Sequence, residues 1–559
     1  MKKTTKYIFV IGGVMSGVGK GIASSSIGKV LQAKGFKVNP IKIDPYLNVD
    51  AGTMNPTEHG EVFVLNSGLE TDQDMGNYER FMEIDLGNEN YMTSGMVYKT
   101  VIEKERALQY NGHCVEALPH IPDEIISRIQ TSAKKNDADI SLIEIGGTVG
   151  DYQNIMFMEA ARRLWLKHPG DVIFILVSYL PVPSKLGEMK TKPTQTAVHQ
   201  LNSYGIQPHM LIARSATALD AKRKEKLAIW CNIMPEDIIS APDIESVYDV
   251  VLNFEKDKTS EIILQKLGLV VRKKEDGLKE WKKFVAKTKN GERDLNIAVV
   301  GKYFDTGDFF LSDAYLSVIE ATKFSAYSEN SRAKLTWINS KEFETGKHSI
   351  EILKNFDGII VPGGFGSSGI EGVISTIQYA RVNKIPFLGL CYGMQLSVVE
   401  FARNIVGWKD ANTTEIDQKT SHPVIDIMPD QKKLLEKGEY GASMRLGAYP
   451  AILTKNTIAY EAYLSAGALA KEDRKYRISE RHRHRYEVNP KYIAELEKAG
   501  LIFSGRSPDG HLMEIAELPK DKHPFFLGTQ FHPEFLAHPL SPHPLFTAFI
   551  KACIAKNKK

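Results

Sequence analysis

Short apolar runs recur along the first half of the chain, and a longer segment with helical spacing of apolar residues follows each of them. The runs long enough to form buried strands cover residues 7–11, 37–43, 140–145, 172–177 and 210–212. Apolar strands that alternate with helices are typical of a parallel sheet covered by helices on both faces. Ligands in such folds bind at the carboxyl ends of the strands, so the turns there are candidate sites.

A second series of elements begins after a segment that is dense in charge. Charged residues dominate 271–294, where Leu278, Trp281 and Val285 are spaced as one face of a short helix. We expect this helix to connect two domains rather than to contribute to a core. A new α/β unit then starts with the apolar strand at 295–301. The pattern therefore predicts an N-terminal domain 1–268, a charged linker helix 269–294 and a C-terminal domain 295–559.

Composition limits the partners and the location. The 71 basic and 68 acidic residues give a net charge of +3, which is no reason to expect nucleic acid or an anionic membrane as partner. The four cysteines, Cys114, Cys231, Cys391 and Cys553, lack the spacing of metal ligands or disulfides. No apolar run approaches the ~18 residues of a spanning helix, and the N-terminus lacks a signal-peptide pattern. We expect a cytoplasmic protein without a membrane partner.

The C-terminal half carries a cysteine in a Gly-x-Cys-x-Gly frame at 389–393, between a strand-like run and a helix-like run. Such a turn exposes a nucleophile, and the helix N-terminus behind Cys391 favours its thiolate. Downstream, His532 and Glu534 supply an imidazole and a carboxylate, and the glycine-rich loop 361–366 could bind an oxyanion through its N–H groups. The alternative is a buried structural cysteine, which is the commoner fate of a single Cys.

These residues are similar to those of class I glutamine amidotransferases. The resemblance implies that Cys391 is the nucleophile, His532 the base, Glu534 the group that orients it, and Gly364 part of the oxyanion hole. Such a domain hydrolyses glutamine and releases ammonia. Because free ammonia is mostly protonated in neutral water, an attached domain must use it, and we expect the first half of the chain to be that acceptor.

The first turn of the N-terminal half, 12–23, is rich in glycine and lies between a predicted strand and a predicted helix. It departs from the strict P-loop pattern, because Val14 stands where the first glycine belongs and Gly21 replaces the usual Ser or Thr. Backbone amides at a helix N-terminus can still bind phosphates, and Lys20 adds a positive charge. A turn without a ligand is the alternative.

Two further loops carry groups that suit a nucleotide. Asp74 and Glu144 could hold a phosphate-bound Mg²⁺. Exposed carboxylates are usually only solvated, so Asp74 could equally be a solvated side chain without a metal. Glu144 is the stronger candidate, because it ends an apolar strand where an unpaired charge is costly to bury. The Lys-Thr-Lys-Pro-Thr-Gln run at 190–195, with Lys226 nearby, suits a triphosphate, and an ordinary basic loop is equally open.

Several strings together resemble the CTP synthase family over nearly the whole chain. They cover residues 12–22, 42–50, 58–64, 77–81, 190–195, 444–447 and 480–489. The resemblance implies a P-loop-like (dethiobiotin-synthetase-like) parallel-sheet domain followed by a class I glutamine amidotransferase α/β domain. It also implies ATP-dependent amination of UTP to CTP, through UTP phosphorylated on its 4-oxygen, with ammonia supplied by glutamine.

The resemblance assigns roles to individual residues. It places Gly17, Val18, Gly19, Lys20, Gly21, Ile22, Asp74, Asp243 and Ile244 at ATP, and Asp74 and Glu144 at Mg²⁺. It places Ser16, Asp151, Tyr152, Gln153, Lys190, Thr191, Lys192, Pro193, Thr194, Gln195 and Lys226 at UTP or CTP. It places Gly364, Tyr392, Gly393, Met394, Gln395, Glu415 and Arg485 at glutamine. Charge agrees with the last set, since Arg485 can pair with an α-carboxylate and Glu415 with an α-amino group.

The resemblance further implies activation by GTP, inhibition by CTP, and a homotetramer that can form filaments. The chain differs from the family pattern at 151–153, in a longer segment 304–312 and in a lid-like loop 437–443, which bear on CTP inhibition and GTP activation. The basic run 481–485 could instead be a solvated surface or a nucleic-acid patch, although its alternating histidines argue against the latter.

Two other functions stay open from the sequence. A coupled amidotransferase that acts on a carboxylate, as in cobyrinate amidation, would explain Cys391 and the glycine-rich turn but not the run 190–195. A non-catalytic assembly protein could use nucleotide only to polymerise, and turnover of UTP would exclude it.

Overall fold

The computed structural model describes residues 4–183, 187–273, 275–302, 312–364, 366–428, 431, 443–472 and 475–558. Contacts divide the chain into two compact units. The first contains Met1–Asp50 and Asp74–Val285, and the second contains Ala51–Gln73 and Ala286–Lys559. Most of the segment 304–312 and of the loop 437–443, which the sequence analysis singled out, lies outside the described residues.

The strands and helices of both units follow in chain order. The strands are β1 Lys6–Gly13, β2 Val38–Asp44, β3 Phe63–Val64, β4 Glu70–Thr71, β5 Tyr91–Thr93, β6 Ile140–Ile145, β7 Val172–Tyr179, β8 Met210–Ser215, β9 Ile238–Pro242, β10 Arg293–Gly301, β11 Ser331–Asn339, β12 Gly358–Val361, β13 Phe387–Leu390, β14 Asn412–Thr413, β15 Pro423–Ile427, β16 Arg445–Leu453, β17 Ala470–Glu472, β18 Lys475–His484, β19 Tyr486–Val488, β20 Ile502–Arg506, β21 Met513–Glu517 and β22 Phe526–Thr529. The helices are α1 Lys20–Ala33, α2 Pro56–His59, α3 Gln73–Met82, α4 Ser94–Arg106, α5 Ala117–Lys135, α6 Ile155–Lys167, α7 Lys192–Ser203, α8 Ala221–Cys231, α9 Asp249–Lys256, α10 Thr259–Lys266, α11 Lys279–Lys289, α12 Leu316–Ser328, α13 Lys341–Glu344, α14 Ile370–Val382, α15 Tyr392–Phe401, α16 Ile458–Ser465, α17 Ile493–Lys498 and α18 Pro544–Asn557.

The first unit is built on a seven-stranded sheet in the order β5-β2-β6-β1-β7-β8-β9. Every neighbouring pair in it is parallel. Its strands are buried almost throughout, because helices cover both faces, and this burial explains their continuous apolar sequence. The predicted strands and the parallel sheet are confirmed. The carboxyl ends of β1, β2, β6 and β8 lie at one edge of the sheet, as parallel order requires.

The second unit contains a ten-stranded sheet in the order β11-β10-β12-β13-β22-β21-β20-β16-β18-β17. The pairs from β11 to β22 are parallel, and those beyond β22 are antiparallel. Segment 51–73, which the sequence analysis assigned to the N-terminal domain, adds the hairpin β3-β4 to this unit. The sheet therefore presents β13 and β22, which carry the candidate triad, as direct neighbours at its centre.

Helix α11 is not a mere connector, contrary to the expectation from its charge. Trp281 is 1% exposed and is among the largest fully buried side chains described. Its ring packs against Phe81 and Tyr248, with centroids 5.3 and 5.9 Å away, and its indole N–H donates to Tyr248 O at 3.0 Å. The charged residues that dominate the segment occupy the solvent face of the helix, and the face of Leu278, Trp281 and Val285 that the spacing indicated is buried.

We predict that Trp281→Ala destabilises the protein by about 3–5 kcal/mol, since it leaves a cavity in this aromatic cluster. The measurement is the urea midpoint of the transition followed by circular dichroism. Lys279→Ala, on the exposed face of the same helix, is the matched control and should change stability by less than about 0.5 kcal/mol. Equal effects of the two substitutions would contradict a core role for α11.

Candidate active sites

Cys391 occupies a strained turn between β13 and α15. Its backbone has φ 50° and ψ −97°, a conformation that costs a non-glycine residue energy and recurs at nucleophiles held on such turns. The side chain is 5% exposed. It lies at the N-terminus of α15, as the sequence predicts, where the helix dipole favours a negative charge.

The two glycines of the frame are required by close backbone contacts. A Cβ on Gly393 would lie 2.3 Å from Val361 O, and one on Gly389 would lie 2.7 Å from the carbonyl carbon of Gly393. Neither position can hold a larger residue unless the helix moves away from the sheet. The frame therefore lets α15 approach β12 and β13 closely enough to fix Cys391.

His532 and Glu534 follow β22 and form the second part of this site. The Nδ1 of His532 lies 2.7 Å from Glu534 Oε1, and the imidazole stacks on Phe535 with ring centroids 5.1 Å apart. A Cβ on Gly363 would lie 2.9 Å from His532 Cε1 and 3.8 Å from Cys391 Cβ. The imidazole and the thiol-bearing carbon thus border the same point of the 361–366 loop.

Charge favours a protonated imidazole here. Burial alone would lower the pKa of His532, but the carboxylate of Glu534 and the sulfur of Cys391 together raise it to about 10. An imidazolium with this partner can stabilise a thiolate and can later give a proton to a leaving group. The arrangement has the three roles of a nucleophile, a base and an orienting carboxylate.

A cavity of about 490 Å³ opens beside Cys391. It is lined by Gly52, Thr53, Met54, Gly364, Cys391, Tyr392, Gln395, Glu415, Met444, Arg483, His484, Arg485 and Tyr486. The structure thereby brings together most of the residues predicted to bind glutamine. Gly393 and Met394 do not line the cavity, because Gly393 abuts Val361 and Met394 is fully buried in the core.

Opposite charges face this cavity. Glu415 accepts a hydrogen bond from Gly366 N at 2.9 Å, and burial raises the pKa of Glu415 although that bond and Lys302 oppose the shift. Arg485 donates to Ser443 Oγ at 2.8 Å and to Gln431 Oε1 at 3.1 Å. A carboxylate and a guanidinium in one cavity complement the two charged groups of an α-amino acid.

The basic run 481–485 is not a solvated surface. Its residues alternate along β18, and Arg481 and His482 are fully buried. Arg483 Nε donates to Glu70 Oε1 at 2.7 Å, and Arg481 Nε donates to Asn66 Oδ1 at 2.7 Å. Both arginines are therefore hydrogen-bonded to segment 51–73. The nucleic-acid alternative is therefore wrong. The period of two in Arg-His-Arg-His-Arg was the signal for a strand with two buried faces.

In the first unit, the turn between β1 and α1 has the backbone of a phosphate-binding loop. Val14, Gly17 and Gly19 have φ of 79°, 71° and 87°. Val14 thus adopts the left-handed conformation of the glycine that it replaces, which a β-branched residue enters at a cost. Ser16 is exposed in this loop, and the backbone N–H groups of α1 begin directly after it.

Gly21 departs from the P-loop pattern for a steric reason. A Cβ at this position would lie 1.9 Å from Asp74 Oδ1. A Ser or Thr here would therefore displace Asp74. The carboxylate of Asp74 occupies the space that the hydroxyl of the usual residue would take.

A cluster of buried charges surrounds Lys42 at the carboxyl ends of β2 and β6. Lys42 contacts Asp74 and donates to Glu144 Oε1 at 2.9 Å, and Lys20 donates to Gly147 O at 2.8 Å. Burial raises the pKa of Glu144, whereas for Asp74 the charge and hydrogen bond of Lys42 outweigh burial and lower the pKa. Burial lowers the pKa of Lys20. The cluster holds both predicted metal ligands beside the phosphate loop.

Two cavities of the first unit collect residues that are distant in sequence. One of about 420 Å³ is lined by Gly19, Ile22, Asp243 and Ile244, all predicted at ATP, and also by Arg214. Arg214 pairs with Asp243 at 2.7 Å, and a Cβ on Gly19 would lie 2.8 Å from its Nη1. Sequence reasoning missed Arg214, although its position at the end of β8 was a signal.

The other cavity, of about 520 Å³, is strongly basic. It is lined by Glu188, Met189, Lys190, Thr191, Lys192, Gln195, Lys222, Arg223, Lys226 and Trp230. Thr194 is instead buried against Ser178 Oγ at 2.9 Å, and Pro193 begins α7, so these two shape the turn. Residues 151–153 do not line this cavity. Lys222 and Arg223 were missed, although they lie on α8, the helix that also carries the predicted Lys226.

Comparison with known proteins follows the same division of the chain. Residues 6–269 match the family described as CTP synthase N-terminus, and residues 310–552 match glutamine amidotransferase class-I. The CTP synthase of Pyrococcus abyssi is 50% identical to this chain, over 98% of this chain and 98% of its own length. The CTP synthase of Methanococcus maripaludis is 48% identical, over 99% of this chain and 100% of its own length. The glutaminase domain of Trypanosoma brucei CTPS with bound acivicin is 35% identical, covers 47% of this chain and 94% of that chain, and has a TM-score of 0.41.

The fold and the two family matches thus define a class I glutamine amidotransferase domain that follows a parallel-sheet N-terminal domain. Identity at this level over nearly the full length is decisive for the family. The chain belongs to the CTP synthase family, which is a family of enzymes. Within the described ranges, none of the helices combines the length and the apolar character needed to cross a membrane.

We predict a distinct pH dependence for Glu534→Gln, which keeps the size of the side chain and removes its charge. In the wild type, the raised pKa means that the charged His532 contributes its full stability below about pH 6.5 and loses it as the pH rises toward about 10. The wild type should therefore be more stable than the variant. The difference in the free energy of unfolding should be largest near pH 6.5 and should shrink as the pH approaches about 10.

Urea unfolding of both proteins across this range measures the difference. Glu495→Gln, at an exposed position of α17, removes the same charge and should show no such trend. A stability gap between wild type and Glu534→Gln that widened with pH would contradict the charge assignment.

Proposed function

We propose that the chain converts UTP to CTP, with ATP as the source of phosphoryl groups and glutamine as the source of nitrogen. One observation carries the proposal: Cys391, which lies near the hydrogen-bonded pair His532 and Glu534, lines a cavity that also holds Glu415 and Arg485. A second set of cavities in the first unit combines a phosphate loop with a basic pocket, which supports a nucleotide triphosphate as acceptor.

In the glutaminase half, the thiolate of Cys391 attacks the side-chain carbonyl of glutamine. The backbone N–H groups around Gly364 stabilise the oxyanion, and His532 gives its proton to the departing ammonia while Glu534 holds the imidazole. Water then attacks the thioester, and its proton goes to His532 as glutamate leaves and the thiolate is restored. The charges of Glu415 and Arg485 suit the α-amino and α-carboxylate groups of glutamine.

In the synthetase half, the 4-oxygen of uracil is a poor leaving group until ATP phosphorylates it. Ammonia from the first reaction then adds to C4, loses a proton and displaces phosphate, which leaves CTP, ADP and phosphate. Lys20, Lys42 and the amides of the loop at 17–22 neutralise and position the phosphoryl group, which is most of the catalysis that such a transfer needs.

The residues beside the phosphate loop fit Mg²⁺. The carboxylates of Asp74 and Glu144 meet at Lys42, and Mg²⁺ in nucleotide sites takes one or two carboxylates together with phosphate oxygens. Among the described residues, no group of three or more His, Cys, Asp or Glu side chains could hold a metal. At such a site, phosphate oxygens of the nucleotide would join the two carboxylates as ligands, and the ion would neutralise part of their charge.

Regulation and assembly belong to the same proposal. We infer activation by GTP, inhibition by CTP at Lys190, Lys192 and Lys226, and a homotetramer that can form filaments, in the cytoplasm. The division into a synthetase part, 1–268, and an amidotransferase part, 295–559, likewise remains a proposal, in which segment 51–73 clusters with the second part and α11 packs in the first. The basic cavity favours a triphosphate over the carboxylate substrates of cobyrinate-type amidation, and the charge-stabilised triad argues against a purely structural protein.

We predict that Cys391→Ala abolishes CTP formation from glutamine and leaves formation from ammonium chloride near the wild-type rate, because the thiol acts only in the amidase half. The assay follows UTP, ATP and Mg²⁺ to CTP with either nitrogen source. Cys114→Ala, at an exposed cysteine, is the matched control and should change neither rate. Release of glutamate by the wild type without any loss of UTP would refute the proposal.

We also predict that Lys20→Ala lowers both the glutamine-driven and the ammonia-driven rates by about 100-fold or more, since it removes a charge at the phosphoryl group. The comparison is kcat with each nitrogen source. Lys134→Ala removes a lysine from the exposed face of α5 and should leave both rates unchanged. Full activity of Lys20→Ala would show that the loop does not bind ATP.

A further inference from the structure

Gln530 is a fully buried polar residue that the mechanism above does not use. Its Nε2 lies 3.6 Å from Cys391 Sγ, within hydrogen-bond distance for sulfur. The residue is 0% exposed and directly follows β22, two positions before His532. A donor at this place contacts the atom that reacts.

The orientation of the Gln530 amide is fixed by a chain of hydrogen bonds. Gln395, on α15, donates through Nε2 to Tyr486 O at 2.9 Å and to Gln530 Oε1 at 3.3 Å. Since the Oε1 of Gln530 accepts from Gln395, its NH₂ group must be the side that faces Cys391. In a flipped Gln530 amide, the NH₂ group would face the NH₂ group of Gln395, and the oxygen would face the thiolate of Cys391. Neither pair could form a hydrogen bond, so the network requires the orientation described.

A backbone acceptor contacts the same sulfur. Arg483 O lies 3.8 Å from Cys391 Sγ and can accept a hydrogen bond only from the thiol. Gln530 Nε2 can donate to the thiolate, and hydrogen bonds to a charged atom are stronger than neutral ones. When the proton moves from Sγ to the imidazole of His532, the S–H bond breaks, the bond to Arg483 O is lost and the one from Gln530 strengthens.

We propose that Gln530 is a further catalytic residue, which stabilises the thiolate of Cys391 by an N–H···S hydrogen bond and is held in place by Gln395. The proposal rests on the proposed glutaminase function, in which Cys391 is the nucleophile. It assigns the first residue of Gln-Phe-His-Pro-Glu a role beside those of His532 and Glu534, at the step in which the nucleophile forms.

Other charged groups near the sulfur do not change when Gln530 is replaced. Those lining the cavities that Cys391 borders are Arg483, His484 and Arg485 of the β18 segment, and Glu61, Glu415, His532 and Glu534, with the phenols of Tyr315, Tyr392 and Tyr486. A shift in the pH profile of Cys391 on substitution at 530 therefore reports the lost donor rather than a new charge.

The test uses the full chain and Gln530→Met, which preserves length and removes the donor, with Gln530→Leu as a second variant. The pH profile of Cys391 alkylation by iodoacetamide is read by mass spectrometry of its peptide. We expect its midpoint to move to higher pH in both variants and kcat/KM for glutamine to fall about 10- to 100-fold. Ammonia-driven CTP synthesis should not change.

Two controls accompany these variants. Gln378→Met makes the same substitution at an exposed position of α14 and should match the wild type. Alkylation of the exposed Cys114, in the same samples, gives a reference profile that should not move.

An unchanged midpoint in folded Gln530→Met would overturn the proposal. Loss of the ammonia-driven reaction together with the glutaminase would also overturn it, because Gln530 would then serve only to hold the fold. Failure of the proposed function gives a different result: the wild type itself would release no glutamate, whatever the alkylation profile of its variants.

Discussion

Both candidate sites depend on a glycine, near a strand-to-helix turn, whose missing Cβ leaves room for a neighbouring group. At the amidase site, Val361 O leaves no room for a Cβ on Gly393, and at the phosphate loop Asp74 fills the space beside Gly21. In each case the close approach fixes a reactive or binding group at the helix N-terminus, where the dipole favours negative charge. The same constraint thus applies at the reactive cysteine of one unit and at the predicted phosphate loop of the other.

The chemistry built on these turns depends on charges that are buried in pairs. Lys42 lies between Asp74 and Glu144, and His532 lies between Glu534 and Cys391. Burial pushes Asp74, Glu144 and His532 toward their neutral forms, and a partner of opposite charge opposes this effect. The balance leaves the imidazole of His532 protonated, while the carboxyl of Glu144 is held by Lys42 against a strong desolvation cost. Such sites lose their function when one member of a pair is removed, even if the fold survives.

Sequence patterns predicted the parts of the structure that are local. The apolar runs placed the strands of the parallel sheet, and the Gly-x-Cys-x-Gly frame placed Cys391 at a strand-to-helix turn. Contacts across long separations were harder. Arg214 was missed because its partner Asp243 follows a different strand, β9, and α11 was taken for a connector because its sequence does not show which residues its apolar face contacts. The sequence showed that Gly21 departs from the P-loop pattern but not why. The structure gives the reason, because the carboxylate of Asp74 lies where a side chain at position 21 would be.

Segment 51–73 comes from the N-terminal half of the chain, yet it clusters with the amidotransferase unit. Gly52, Thr53 and Met54 form part of the wall of the cavity beside Cys391, and Glu70 and Asn66 are the partners of two buried arginines. A gene split between the two halves would leave Arg481 and Arg483 without those partners and the cavity without that wall. An amidotransferase half cut from this chain at residue 295 would therefore lack contacts and cavity lining that a segment of the N-terminal sequence supplies.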